Sequence, residues 1–148
     1  MALSVAAGTE TLHGYSFGLL DGAQDLIFGA QHHIYTVLSV ISYCSALGTA
    51  SDTATLQIIG NNNHITGTAQ TMLIAKWVVV VAETFVWNDK FSFNGFEGAA
   101  YTEPLNTNAE QLIIAAQGSA VPQRLAMTTT DADVDLDVHV TYIDQNNA

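Results

Sequence analysis

The stretch from Ile34 to Cys44, which reads IYTVLSVISYC, decides the fold class of this 148-residue chain. It is rich in β-branched and aromatic residues and contains neither proline nor glycine, a composition typical of a β-strand. Because successive side chains of a strand point to opposite faces, both faces of this one are largely apolar: Tyr35, Val37, Ser39, Ile41 and Tyr43 on one, and Thr36, Leu38, Val40 and Ser42 on the other. We therefore expect a strand that is buried on two sides, by a second sheet on one and by an arm or a subunit on the other.

The sequence that follows predicts further short strands separated by turns. Thr53–Ile59 predicts a strand and Gly60–Asn63 a turn, since its residues tolerate positive φ. Thr71–Trp87 is the most apolar segment, and its β-branched Val78–Val81 run argues against a helix. Other strands are predicted at 91–93, 110–116, 124–130 and 132–143. About eight strands without a helical pattern between them predict an all-β fold, an antiparallel β-sandwich or jelly roll over residues 31–148.

Two segments interrupt this pattern. Residues 1–30 are punctuated by glycines and show no sustained period, so we predict an extended or short-stranded N-terminal arm. Its apolar side chains need a surface to lie against, either the chain's own sandwich or a neighbour. Residues 94–108 read as a long surface loop that begins an insertion ending at about residue 123, and loops of this length are usually functional. The apolar residues of interest are Tyr15, Phe17, Leu20 and Phe28 in the arm and Phe96 and Tyr101 in the loop.

The charge balance excludes several classes of partner. Three basic and 14 acidic residues give a formal net charge of −11, so there is no basic stripe that could neutralise nucleic-acid phosphates. The same negative field would repel an anionic membrane, and no apolar run approaches the length of a spanning helix. The first ten residues lack the features of a secretory signal, which predicts folding in the cytoplasm. A lone Cys44 in an apolar strand is expected to be inert packing.

Acidic residues alternate with apolar ones near the C-terminus. Asp131, Asp133, Asp135 and Asp137 are spaced two apart, which on a strand would place four carboxylates on one face. The spacing imitates the start of a calcium-binding EF-hand loop, but Leu136 and Tyr142 stand where that loop needs glycine and glutamate. We therefore predict a solvated acidic face. The five histidines lack metal-ligand spacing, and no metal or other cofactor is expected.

No catalytic motif is apparent. The candidate nucleophiles Ser39, Ser42, Cys44 and Ser92 lie in predicted strands and outside any nucleophile elbow, so packing accounts for them better. Glu83 and Asp89, flanked by tryptophans, could in principle hydrolyse glycosides. Aromatic residues at strand ends more often anchor a core or a subunit interface. We expect an oligomer interface formed by Trp77, Phe85 and Trp87 together with Val79. The alternative is a carbohydrate-binding module that uses Phe96 and Tyr101, and an enzyme is not expected.

Three stretches together resemble a known group of proteins: Ile34–Cys44, Glu83–Phe93 (ETFVWNDKFSF) and Asp133–Asp144 (DVDLDVHVTYID). They are similar to the small β-sandwich virion proteins of tailed bacteriophages, which include capsid cement (decoration) proteins and some neck or tail components. In that group a strand like Tyr-Thr-Val opens the fold, and a Val-x-Val-x-Val-Thr-Tyr strand ends it. The glycine-rich arm and the insertion at 94–123 depart from this pattern, so cement and neck or tail positions both stay open.

The resemblance implies a homotrimer on the capsid exterior that bridges subunits of the major capsid protein. In this interpretation the arm and loop residues Tyr15, Phe17, Leu20, Phe28, Phe96 and Tyr101 bind the capsid. An acidic protein avoids the packaged genome and can bind a more basic capsid surface through complementary charge. The doubly apolar strands carry more apolar surface than a single sandwich needs, which favours an oligomer.

Overall fold

The computed structural model describes residues 9–19, 22–30, 32–61, 69–95 and 122–146. Within these ranges the chain contains nine strands and no helix. The strands are β1 (Thr9–Leu19), β2 (Ala23–Phe28), β3 (His33–Ala46), β4 (Thr53–Asn61), β5 (Ala69–Val78), β6 (Thr84–Trp87), β7 (Phe91–Asn94), β8 (Arg124–Thr129) and β9 (Asp135–Asn146).

The strands form two antiparallel sheets. Sheet A has the order β1-β9-β3-β6, and β7 also pairs with β3; sheet B has the order β2-β8-β4-β5. Every strand pair is antiparallel. The predicted all-β fold, an antiparallel β-sandwich, is therefore confirmed, whereas the jelly-roll connection stays a prediction.

The core lies between the two sheets and follows the two-residue period of the strands. On β9, Leu136, Val138 and Val140 are at most 1% exposed, while the intervening residues are not buried. Sheet B contributes Leu56 from β4 and fully buried side chains of β8. Among the described residues the core also contains Leu26, Ile27, Tyr35, Val37, Val40, Cys44, Ala54, Val79, Phe93, Leu125, Met127, Val134 and Tyr142.

The segment predicted to be an arm belongs to the sandwich in its described part. Strand β1 pairs with β9 from Thr9 to Leu19, and β2 pairs with β8, so each sheet receives one strand from residues 9–28. The predicted boundary at residue 30 therefore does not separate an arm from a domain. The reason is that Gly14 and Gly18 occupy outer-face positions of a regular strand, where glycine hides the alternation that a side chain would reveal.

The apolar segment Thr71–Trp87 contains two strands that belong to different sheets. Strand β5 ends at Val78 in sheet B, and β6 begins at Thr84 in sheet A. Between them, Ala82 adopts a positive φ of 64°. Its N–H donates to the Cys44 carbonyl at 2.8 Å, which attaches the turn to β3.

The predicted four-aspartate face is also different. Strand β9 begins at Asp135, and Asp131 and Asp133 lie in the preceding turn. The Asp133 N–H donates to the Asp131 carboxylate at 3.0 Å, an arrangement in which an aspartate side chain replaces a backbone turn. Only Asp135 and Asp137 remain on the strand. The sequence does alternate, but Asp131 and Asp133 form a hydrogen-bonded turn and therefore do not extend the strand.

The predicted insertion at 94–123 lies mostly outside the described residues, and so does the predicted strand at 110–116. Its two ends are held together. The Gln123 N–H donates to the Gly95 carbonyl at 2.7 Å, and the Gly29 N–H donates to the Gln123 carbonyl at 2.9 Å. A Cβ on Gly29 or Gly95 would collide with backbone atoms, so this close approach requires glycine at both positions.

Candidate functional site

Exposed apolar side chains lie on the outer face of sheet A, the face turned away from sheet B. Ile41, Tyr43 and Val86 are 37%, 42% and 52% exposed, while their neighbours Val40 and Ser42 are buried. Ile41 stands opposite Val86 in the β3–β6 register, so the two side chains share one face of the sheet. We call these three residues the outer-face patch. An apolar patch of this kind is the usual mark of a surface that contacts another protein.

A groove adjoins the outer-face patch and continues across β9 to β1. Ile41 and Tyr43 form part of its lining, together with Ser16, Gly18, Thr84, Asp137 and His139. The Ser16 hydroxyl and the His139 imidazole Nδ1 are hydrogen-bonded at 2.7 Å, which connects β1 to β9 through side chains. The groove therefore joins an apolar half on β3 to a polar half on β1 and β9.

The residues predicted to anchor an oligomer interface lie where the two sheets of the chain meet. Trp77 of β5 stacks on Phe85 of β6, with ring centroids 3.9 Å apart and an angle of 6° between the planes. Because β5 belongs to sheet B and β6 to sheet A, this pair fastens one side of the sandwich. Val79 is 3% exposed and lies in the core, so its side chain has no accessible surface for a partner. We call this side of the sandwich the aromatic seam.

Trp87, the last of these predicted residues, lies farther along the aromatic seam. It is half-buried against the core, and its indole N–H donates to the Asp89 carbonyl at 3.0 Å. A shallow apolar groove beside it includes Met72 and Leu73 of β5, which are 60% and 57% exposed. This end of the seam is more open than the end closed by the Trp77–Phe85 stack.

The predicted capsid-binding residues do not form one cluster among the described residues. Phe17 is partly buried against the core, whereas Tyr15 on the same strand is 45% exposed. Phe28 is 58% exposed at the end of β2 in the other sheet. The remaining three predicted residues, Leu20, Phe96 and Tyr101, lie outside the described residues.

A cluster of imidazole, carboxylate and phenol groups lies on the inner face of sheet A, where β1, β9 and β3 are neighbours. Asp144 of β9 accepts a hydrogen bond from His33 at 2.6 Å, and the His13 imidazole lies 4.0 Å from its other oxygen. The rings of His13, Tyr15 and Tyr142 lie with their centroids 5.3 to 6.1 Å apart. This group, which we call the tyrosine cluster, connects three strands of sheet A through polar and aromatic contacts.

Two buried phenols, Tyr142 of the tyrosine cluster and Tyr35, whose ring centroid lies 5.8 Å from that of Tyr142, are held in the neutral form. Burial, with smaller contributions from Tyr15, Tyr35 and Asp144, raises the pKa of Tyr142 to about 12. Burial also raises the pKa of Tyr35, although the Ala30 N–H donates to its hydroxyl at 2.9 Å and acts in the opposite direction. Both groups are therefore hydrogen-bonding and packing elements at neutral pH.

The candidate nucleophiles lie where packing explains them. Ser42 and Cys44 are each 2% exposed, and burial raises the pKa of the Cys44 thiol. The Ser92 hydroxyl is hydrogen-bonded to Thr36 at 2.8 Å on the outer face of sheet A.

Asp52 orders the turn before β4. Its carboxylate accepts hydrogen bonds from the Thr49 N–H and hydroxyl at 2.6 and 3.0 Å, which lowers the pKa of Asp52.

Sequence reasoning did not name the outer-face patch as a site, although its signal was present. The apolar character of both faces of Ile34–Cys44 predicted two covered faces, and the structure covers only the inner one with described residues. Alternation in the sequence grouped Ile41 and Tyr43 with Tyr35 and Val37, but a bulge between Val37 and Ser39 turns them to the outer face while Tyr35 and Val37 stay buried. Neither this bulge nor the pairing of Val86 beside Ile41 could be read from the sequence, because both depend on which strands become neighbours.

Neither the described side chains nor a relationship to known proteins assigns a function to the chain. In the described ranges, no three His, Cys, Asp or Glu residues converge in a way that could hold a metal ion. No helix in the described part of the chain is long and apolar enough to cross a membrane. No protein-family model matches the chain, and no curated protein matches it either.

Proposed function

We propose that this chain is a structural virion protein of a tailed bacteriophage, a capsid cement protein that binds the major capsid protein from outside as an oligomer. The observation that carries the proposal is the outer-face patch of Ile41, Tyr43 and Val86. It places exposed apolar surface on the outer side of sheet A, where a second protein can cover it without rearrangement of the core. The family resemblance of the strands that build this sheet supplies the kind of partner.

Charge supports an exterior position on the capsid. A net charge of −11 with only three basic residues opposes contact with packaged DNA and favours a basic protein surface. Asp137 lines the groove next to the outer-face patch, so apolar and anionic groups are adjacent there. A capsid surface that combines an apolar contact with Lys or Arg side chains would complement this arrangement.

Binding to capsids is the direct test. Capsids of the phage that encodes the chain, purified without it, are incubated with the protein, and bound protein is measured after sedimentation. We expect Val86→Lys to weaken binding about tenfold or more, because a buried, unpaired ammonium group replaces an apolar contact. Val81→Lys is the matched control: Val81 is a similarly exposed valine (48%) outside the outer-face patch, and the change in net charge is the same.

The outcomes separate the proposal from its alternatives. If both variants and the unchanged protein bound capsids equally well, the outer-face patch would not be part of the capsid-binding surface. Absence of capsid binding together with binding to isolated necks or tails would favour a neck or tail component. A specific signal on a glycan array that Tyr101→Ala abolishes would instead favour the carbohydrate-binding alternative.

A further inference from the structure

Strand β1 forms one edge of sheet A and is unusually open for an edge strand. It is 11 residues long, and its register with β9 runs from Thr9 to Leu19 without a shift. No described strand pairs with its other side. Alternate residues of such an edge point their backbone N–H and C=O groups away from the sheet, which makes the edge a template for another strand.

The features that normally protect an edge are absent from most of β1. From Thr11 to Leu19 the sequence contains no Lys, Arg, Asp, Glu or Pro. The other described edges each carry protection: β2 has a bulge and Asp25, β5 is irregular opposite Leu56 and Gln57 and carries Lys76, and β6 and β7 have four residues each. Within the described part of the chain, β1 therefore stands out as the long, regular edge, and it carries no acidic side chain and no Lys or Arg from Thr11 to Leu19.

We propose that two copies of this chain associate through β1, with the strands antiparallel across a two-fold axis near Gly14, so that the two A sheets become one continuous sheet. A two-fold axis makes the same strand both the donor and the acceptor, which is the commonest arrangement of homodimers. The inference names a surface and a partner, and it does not depend on capsid binding.

The side chains of β1 are complementary to themselves in this register. On the outer face, Leu12 is 66% exposed and would stand opposite Ser16 of the second copy, between Gly14 and Gly18. The large Leu12 side chain of one copy thus covers the outer-face residues Gly14, Ser16 and Gly18 of the other, which have small side chains or none. On the inner face, His13 would stand opposite Tyr15 of the second copy, which allows an aromatic contact across the strands.

Charge also favours a second copy at this edge over the other surfaces. Each chain has a net charge of −11, so two copies repel each other over most of their surfaces. In the proposed register, Glu10 stands opposite Gly18 of the second copy. None of the paired residues from Glu10 to Gly18 brings two like charges together. The β1 edge is therefore the place where two acidic chains can approach closely.

A cross-linking experiment tests the register. In Gly14→Cys, the two new thiols would face each other at the axis, where directly opposite Cα atoms are about 4.5 to 5.5 Å apart and a disulfide can form. A Cβ at position 14 meets only the His139 ring, at an ordinary contact distance of 3.4 Å, so the variant should fold. Met72→Cys, at an exposed position of the β5 edge, is the control. Cys44 is buried and should not react in either variant.

Mild oxidation followed by non-reducing electrophoresis should give a covalent dimer of Gly14→Cys and none of Met72→Cys. Sedimentation equilibrium should show a dimer for the unchanged protein, with Leu12→Lys weakening it on the order of tenfold and Met72→Lys leaving it unchanged. A monomer at every soluble concentration would overturn the inference. So would a trimer whose Gly14→Cys variant does not cross-link, because a three-fold assembly would use a different contact.

Discussion

Among the described strands, sheet A ends on one side at β1, a regular strand of 11 residues, and on the other at β6 and β7, two strands of four residues that pair one after the other with β3 and are interrupted at residues 88–90. The β6 side is fastened to sheet B by the Trp77–Phe85 stack. The β1 side is held to its neighbours by backbone pairing with β9 and by the tyrosine cluster. The β6 edge is thus fastened to the other sheet by aromatic stacking, whereas β1 is held only within its own sheet, partly by groups that can ionise.

The difference between the two edges of sheet A implies that one region of the molecule determines folding stability and another determines association with a partner. Residues of the aromatic seam hold the two sheets of one chain together through contacts within the chain. The β1 edge and the outer-face patch leave backbone groups and apolar side chains such as Leu12 and Ile41 exposed. Changes at the seam should therefore alter the free energy of unfolding, and changes at the β1 edge and the outer face should alter binding.

The largest effect is expected from Trp77→Ala. It removes the stack on Phe85 and leaves a cavity between the sheets, which should lower the free energy of unfolding by about 3 kcal/mol, the low end of the range for large aromatic truncations because Trp77 is half-buried. Urea unfolding measures the change. Val86→Ala, on the exposed face of the neighbouring strand, should change it by less than about 0.5 kcal/mol. Equal losses in the two variants would contradict the distinction between seam and outer face.

Alkaline pH should act on the β1 side of sheet A. The pKa of Tyr142 is raised to about 12 in the folded protein, above the value near 10 of an unfolded tyrosine, so the folded state binds this proton more tightly. The resulting stability is complete below about pH 10 and is lost as the pH rises toward 12, in total on the order of 2 kcal/mol. Tyr35 adds to this loss in the same direction because its pKa is also raised.

Urea midpoints measured between pH 9 and pH 11.5 check this dependence. Tyr142→Phe should reduce the alkaline loss and leave the part due to Tyr35. Tyr43→Phe is the control, because Tyr43 is 42% exposed on the outer face and lies outside the tyrosine cluster. If the Tyr142→Phe variant lost stability with pH as steeply as the unchanged protein, the buried phenol would not be the cause.

The strands of the core could be predicted from sequence, because alternation of side chains determines which face is buried. Ile34–Cys44 and Thr53–Ile59 both lie within observed strands, β3 and β4, and the apolar residues of the C-terminal segment form β9. The predicted fold class followed from these segments alone. Alternation could not predict strand β1, because Gly14 and Gly18 have no side chain to show which face of the strand is polar and which is apolar.

The arrangement of the site could not be predicted, because it depends on which strands become neighbours. Nothing local in Trp77 and Phe85 indicates that they belong to different sheets and stack face to face. The turn at Ala82, which separates them, requires a positive φ at a residue that rarely adopts it. For the same reason Asp144, distant in sequence from His13 and His33, could not be assigned to them before the pairing of β1 and β3 with β9 was known.

The smallest effect concerns access to Cys44, which lines the same cleft as Trp77 and Phe85 on the seam side of the sandwich. The thiol is 2% exposed and its pKa is raised by burial, so alkylation by iodoacetamide requires an opening of the structure and should be far slower than in urea. Trp77→Ala should speed alkylation at least about tenfold, because it removes the ring that covers the cleft and makes opening easier. Val86→Ala should leave the rate unchanged, since that side chain lies on the opposite face of β6 from Phe85. Rapid alkylation of the unchanged protein would mean that the seam opens readily without this substitution, and the contrast between a closed seam and an open β1 edge would then have no basis.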